Sequence, residues 1–226
     1  MIPDPELSIW EHSEGLRRLL KRRALDQEPE MDCAAQAAEI LGSLGLAPGS
    51  RLLDLGCGAG HFLHSLRRRG IELDYAGLDS SPAAVNAGKD AFAGLSLDPG
   101  MLRLASMDDL KGVRADAALF MNVLSFCPDY RRPVDRAAGC GAKAILIRDN
   151  FWPETVISWD IDGYLDSGWN HLKGYWNRYS YSEMECFLGS LGFACERIQD
   201  RRTGGREELV VGKPYRWGFL LALRLA

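Results

Sequence analysis

Three glycines in alternation, Gly56, Gly58 and Gly60, follow the apolar run Leu52-Leu53-Asp54-Leu55, and an acid, Asp79, ends the next apolar run 19 residues beyond Gly60. Glycine lets a backbone take conformations closed to other residues and lets a ligand approach the chain closely. A strand that turns through such a loop into a helix places free amides and the positive end of the helix dipole beside an anion. An acid one strand later stands at the separation from which carboxylates in dinucleotide folds reach ribose hydroxyls. The pattern is that of a nucleotide-type cofactor site. A tight turn without a ligand is the bland alternative. A nicotinamide or flavin site is the nearer rival, but its third glycine would fall at position 61, which is His61.

The elements that must carry these residues are legible around them. Arg51 to Leu55 is short and apolar enough for a buried parallel strand, and Asp74 to Asp79 reads as its successor. After the loop, Phe62, Leu63 and Leu66 share a helical face, with Arg67 to Arg69 in the last turn where cations suit the dipole. Ser81-Pro82 is an N-cap followed by proline at the first helical position, and Ser182 with Glu185 has the form of a capping box. Residues 142–147, 193–199 and 215–224 read as further strands. Residues 1–47 read as a helical extension in which Ala37, Ile40, Leu41 and Leu44 share a face.

These residues resemble the class I S-adenosylmethionine-dependent methyltransferases. Asp54, Gly56, Gly58 and Gly60 match the family's acid-x-Gly-x-Gly-x-Gly motif, and Gly77 to Ser81 resembles its second strand with the ribose-binding Asp79 and adjoining Ser80. Ala105 to Asp109 is similar to the adenine-contacting segment, which assigns Met107 and Asp108 to that end of the cofactor. Asp116 to Leu124 resembles the fourth strand, with Phe120 and Asn122 beside the methionine end. The resemblance implies an α/β fold, doubly wound, with a mostly parallel seven-stranded sheet and helices on both faces. It implies S-adenosyl-L-methionine as cofactor and leaves the acceptor open. Methyl transfer is a direct displacement at carbon, for which holding donor and acceptor in line can supply roughly 7 to 11 kcal/mol. A general base adds only about 10² to 10⁴ in rate.

The acceptor residues are expected at the carboxyl edge of the sheet, after residue 147. Arg148-Asp149-Asn150 is followed by a segment, 151–181, that holds Phe151, Trp152, Trp159, Tyr164, Trp169, Tyr175, Trp176, Tyr179 and Tyr181. Such a segment packs over the sheet or binds an acceptor, and its interleaved acids suit a cation or amine. Asp149, Asn150, Asp162 and His171 are the candidate catalytic residues. A narrower resemblance, to protein N-terminal α-amine methyltransferases, rests on Asn150 and Asp162 as holders of an amino group; Phe126 stands where that family has a histidine.

At 226 residues and 46% hydrophobic content the chain is expected to form a single methyltransferase domain, 1–226. A net charge of −4 argues against nucleic acid as the main partner. The basic run Arg17 to Arg23 is followed at once by acids and reads as a solvated helix face. No C-x-x-C pair occurs, His61 and His64 lack a third ligand, and no metal is expected. No apolar run reaches the ~20 residues of a membrane span, and free thiols suit a reducing cytoplasm. The expected activity is methylation of an amine or hydroxyl on a small molecule, with a peptide acceptor or a non-catalytic cofactor-binding module as alternatives and no assignment of oligomeric state.

Overall fold

The computed structural model describes residues 9–163 and 165–225. In chain order the elements are α1 Glu14–Ala24, α2 Asp32–Ser43, β1 Arg51–Leu55, α3 Phe62–Arg68, β2 Asp74–Asp79, α4 Pro82–Gly94, β3 Leu102–Leu104, β4 Ala117–Met121, α5 Arg131–Gly139, β5 Ala144–Trp152, β6 Trp159–Ile161, β7 Lys173–Tyr175, β8 Tyr179–Ser180, α6 Tyr181–Ser190, β9 Phe193–Gln199, β10 Glu207–Val210 and β11 Lys213–Arg224.

Seven strands lie in the order β3-β2-β1-β4-β5-β11-β9, with β11 antiparallel to both of its neighbours and the rest parallel. Two short strands extend the sheet to nine: β8 pairs with the end of β5, and β10 forms a hairpin with the start of β11. The side-chain alternation of each strand divides the core. Leu53, Leu55, Ala118, Phe120, Ile145 and Ile147 face α5 and α6, whereas Leu52, Ala117, Leu119 and Leu146 face α2, α3 and α4. Two helical layers therefore cover one mostly parallel sheet, as continuous apolar strands require.

The helix starts follow from their caps. Ser13 Oγ accepts from Leu16 N at 3.3 Å to open α1, and Ser81 Oγ accepts from Ala84 N at 3.1 Å to open α4, with Pro82 following. Helix α6 is capped by Ser180, whose Oγ accepts from Glu183 N at 3.5 Å, two residues before the expected capping box. Glu185 and Ser182 instead hold the Arg197 guanidinium of β9.

Strand β5 runs five residues past its expected end, through Arg148-Asp149-Asn150 to Trp152. The polar triplet does not break the strand because each side chain finds a buried partner, and β11 pairs with it from Trp217↔Asn150 to Leu223↔Ala144. Beyond it, residues 153–178 are not irregular throughout. They form the β6–β7 hairpin, tied to residue 156 by a bridge to Arg178. Residues 1–8 of the expected helical extension, and Tyr164, lie outside the described residues.

Candidate active site

A cavity of about 750 Å³ opens at the carboxyl ends of β1, β2 and β4 and is roofed by α1 and α2. Its floor is the glycine loop. Gly56 has φ +76°, and a Cβ there would stand 2.3 Å from Val123 Cγ2, so only glycine fits between the loop and the turn after β4. Gly58, at φ +57°, donates its N–H to Asp79 Oδ2 at 2.7 Å, while Asp79 Oδ1 accepts from Ser81 N at 2.8 Å. The acid expected to meet a ribose thus also holds the loop in shape. Burial raises the Asp79 pKa above the usual carboxylate value, and the amides of Ser81 and Gly58 oppose that rise.

Asp54, Gly56, Gly58, Asp79, Ser80, Met107, Asp108 and Asn122 all line the cavity, as the sequence leads one to expect. Asp54 is buried beneath the loop and accepts from Tyr75 Oη at 2.6 Å. Burial pushes its pKa up to about 7, with Tyr75 pulling it down and the charge of Asp79 adding to the rise. Two cofactor residues read from the sequence are corrected. Gly60 turns toward the core, where a Cβ would meet Leu102 Cδ2 at 2.6 Å, so it is glycine for packing and not for a ligand. Phe120 is fully buried on the α5 and α6 face, because strand alternation sends its neighbour Met121 to the cavity instead.

Asn122 has φ +57° and lies where β4 ends. Its Oδ1 accepts from Arg148 Nη1, and an arginine can only donate, so the Nδ2 amide of Asn122 is turned away from Arg148. Arg148 is itself buried, paired with fully buried Asp200 through Nε and Nη2, both at 2.8 Å, and stacked 4.3 Å from the Trp217 ring. The ion pair holds the Asp200 carboxyl below its ordinary value against the opposing effect of burial.

The four expected catalytic residues do not reach this cavity. Asp149 is fully buried and accepts from the N–H groups of Leu124 at 2.8 Å and Ser125 at 3.2 Å, pinning the helical turn Leu124–Phe126 after β4. Burial raises its pKa. Asn150 is spent as well. Its Oδ1 accepts from Trp152 Nε1 and Arg216 N, and its Nδ2 donates to Asn177 O. Asp162 is buried within the cover segment, and His171 is exposed at its surface.

Among the described residues the cover meets the cavity only at second remove. Trp176 packs edge-on against Phe126 at 5.3 Å, and Phe126 in turn against Trp10 at 4.9 Å; the latter two rings line the cavity wall. A second link joins cover and N-terminal segment: Asp166 Oδ2 accepts from Glu14 N at 2.8 Å, Asp166 N donates to His12 O at 3.0 Å, and the His12 ring stacks on Trp169 at 3.7 Å.

Sequence reasoning missed the roof. Arg17, Leu20 and Arg23 of α1 line the cavity, so the basic run is not wholly a solvated face. Their spacing of three is the signal that was available. His61, the residue after the loop, also lines the wall. Its Nδ1 is sealed from solvent with no hydrogen-bond partner among the described residues, and burial, with Arg23 and His64 adding to it, pushes its pKa down to about 4. His64 bonds the carbonyl oxygen of Ala24 at 2.8 Å.

Residues 53–142 match the family model of the methyltransferase domain. This segment is a methyltransferase domain. It contains the whole glycine loop, Asp79, the Met107-Asp108 segment and Asn122, and the resemblance to class I methyltransferases drawn from those residues is borne out. No curated protein gives a significant sequence match. Solved structures agree in fold. Magnesium protoporphyrin IX methyltransferase from Synechocystis, crystallised with bound S-adenosylmethionine, is 16% identical with a TM-score of 0.62, covering 100% of this chain and 99% of that one. The CcbJ methyltransferase from Streptomyces caelestis is 17% identical with a TM-score of 0.59, covering 89% and 94%. A Burkholderia thailandensis 1,6-didemethyltoxoflavin-N1-methyltransferase is 16% identical with a TM-score of 0.57, covering 86% and 80%.

Proposed function

We propose that this methyltransferase domain uses S-adenosyl-L-methionine to methylate an amine or hydroxyl of a small molecule held in the roofed cavity. The observation that carries the reading is convergence: the Gly56–Gly58 loop, Asp79 and Asp108 share one cavity with the aromatic wall of Trp10 and Phe126. The chemistry of the donor set fits the cofactor. Asp79 would accept from ribose hydroxyls and Asp108 from the adenine amine, while the Asn122 Nδ2 supplies a donor near the other end. When bound, the cofactor supplies an electrophilic methyl group on a sulfonium.

What the chain itself contributes is enclosure and alignment. A cavity of about 750 Å³ lies in the range of ordinary small-ligand sites, roughly 300 to 1,000 Å³. The roof of α1 and α2 suits a compact acceptor better than a peptide, whose proposed holders Asn150 and Asp162 stand outside the cavity. With Asp149 and His171 outside it too, the acceleration rests on positioning. His61 stands on the wall, but with its pKa held down to about 4 it is a weak base and adds little to proton removal. All six cysteines are free, which suits a reducing compartment such as the cytoplasm.

Two experiments test this. Calorimetric titration with S-adenosylhomocysteine should show binding, and its absence would remove the cofactor assignment. Transfer of labelled methyl from cofactor into a size-fractionated extract should place label in the low-mass fraction; label in protein would overturn the small-molecule acceptor.

A further inference from the structure

The arginines of α1 divide into two sets. Those on its outer faces are satisfied: Arg18 pairs with Glu14, and Arg22 with Glu28. Arg17 and Arg23 line the cavity, and neither has an ion-pair or hydrogen-bond partner among the described residues. Leu20, midway between them, rests against the loop, its Cδ2 standing 3.5 Å from where a Cβ of Gly58 would be. At about 1.5 Å of rise per residue the two arginines lie roughly 4.5 Å along the helix on either side of that contact, within side-chain reach of the same point above the glycine loop.

The acids of the cavity do not answer them. Asp79 is engaged by the amides of Gly58 and Ser81, Asp54 by Tyr75, and Asp108 lies 3.4 Å from Arg132. Asp129, the remaining acid of the lining, lies 3.6 Å from Arg131, so among the described residues the two guanidinium groups face a partly enclosed space with no anion to meet them. An anionic ligand group is what such a pair recognises, and a carboxylate matches the planar guanidinium fork best.

We propose that Arg17 and Arg23 clamp the carboxylate of the cofactor's amino-acid end. This rests on the cofactor reading given above. With the adenosine end assigned to Asp79 and Asp108, the amino-acid end extends past the glycine loop toward α1 and Asn122. Helix α1 is then part of the donor site, and the roof closes on the cofactor rather than on the acceptor alone.

The test compares two ligands that share adenosine and a thioether sulfur but differ in the amino-acid end: S-adenosylhomocysteine and 5′-methylthioadenosine. The intact protein should bind the first more tightly than the second. Arg17→Gln and Arg23→Gln should each weaken S-adenosylhomocysteine about tenfold or more, in line with loss of a charge-assisted hydrogen bond, and leave 5′-methylthioadenosine unchanged. Arg23→Lys should recover part of the loss, because it restores charge without the fork. Arg18→Gln, on the outer face, should change neither ligand. An equal fall for both ligands would overturn the clamp and make α1 a general cover; no fall for either would overturn it as well. Failure of the intact protein to bind either ligand would instead sink the cofactor reading, and the clamp with it.

Discussion

The glycine loop and the polar triplet of β5 both place polar, chemically capable groups at strand ends, yet they spend them differently. Around the loop, strong groups are left facing a cavity: Asp79, Asp108, Asn122 and two arginines that are unpaired among the described residues. In the triplet, Arg148, Asp149 and Asn150 are each buried and each consumed by a partner within the protein. The difference teaches that a charged residue at the right edge of a sheet is a site residue only if it also faces the cavity, whatever bonds it already makes within the protein. Asp149 and Asp79 are both carboxylates with raised pKa, both bonded to backbone amides, and only one of them lines the cavity.

The contrast is broken most severely by removing one partner of the buried ion pair. We predict that Arg148→Met costs about 3 to 5 kcal/mol of folding stability, because fully buried Asp200 is left uncompensated. Denaturant unfolding would measure it, and a change under about 1 kcal/mol would show the pair to be dispensable. Asp149→Asn should cost about 1 to 3 kcal/mol in the same assay, since the amide cannot accept from all the N–H groups that the carboxylate holds, while S-adenosylhomocysteine affinity stays near that of the intact protein. The reverse outcome, intact stability with lost turnover, would return Asp149 to a catalytic role.

On the other side of the comparison, Asp79→Ala should weaken cofactor binding by about 1 to 3 kcal/mol, read by calorimetry. Asp54 sharpens the picture through pH. Its folded pKa of about 7 lies above the unfolded value, so the folded protein binds the extra proton between the two. That contribution favours the fold in acid and is lost as pH rises through about 7. The melting temperature of Asp54→Asn should therefore gain on the intact protein between about pH 5 and pH 8, and a constant difference would contradict the assignment. The smallest effect belongs to exposed His171: His171→Ala should alter stability by no more than about 0.5 kcal/mol and leave turnover unchanged.

What the sequence made legible is what local chemistry decides. The bounds of β1, β2 and β9, the Ser81-Pro82 helix start and the loop with its acid all follow from residues within one or two elements. The misreadings share a cause. The true end of β5 depends on Asp200 and on the amides of Leu124 and Ser125, distant in sequence. Helix α6 opens at Ser180 and not at the expected Ser182, because Tyr179 and Ser180 pair with the end of β5, far away in sequence. The roof is the deepest omission. The basic run reads as a solvated face, and only the folded position of α1 reveals that Arg17, Leu20 and Arg23 cover the cavity.

The clasp of Asp166, His12 and Trp169 joins the segment before α1 to the loop after β6, elements that sit more than 150 residues apart in the chain. Because α1 roofs the cavity, these few contacts fasten the start of the helix that a bound product must pass, from outside the site itself. A substitution at Asp166 would then be felt as a change in release rate, with the chemistry itself untouched.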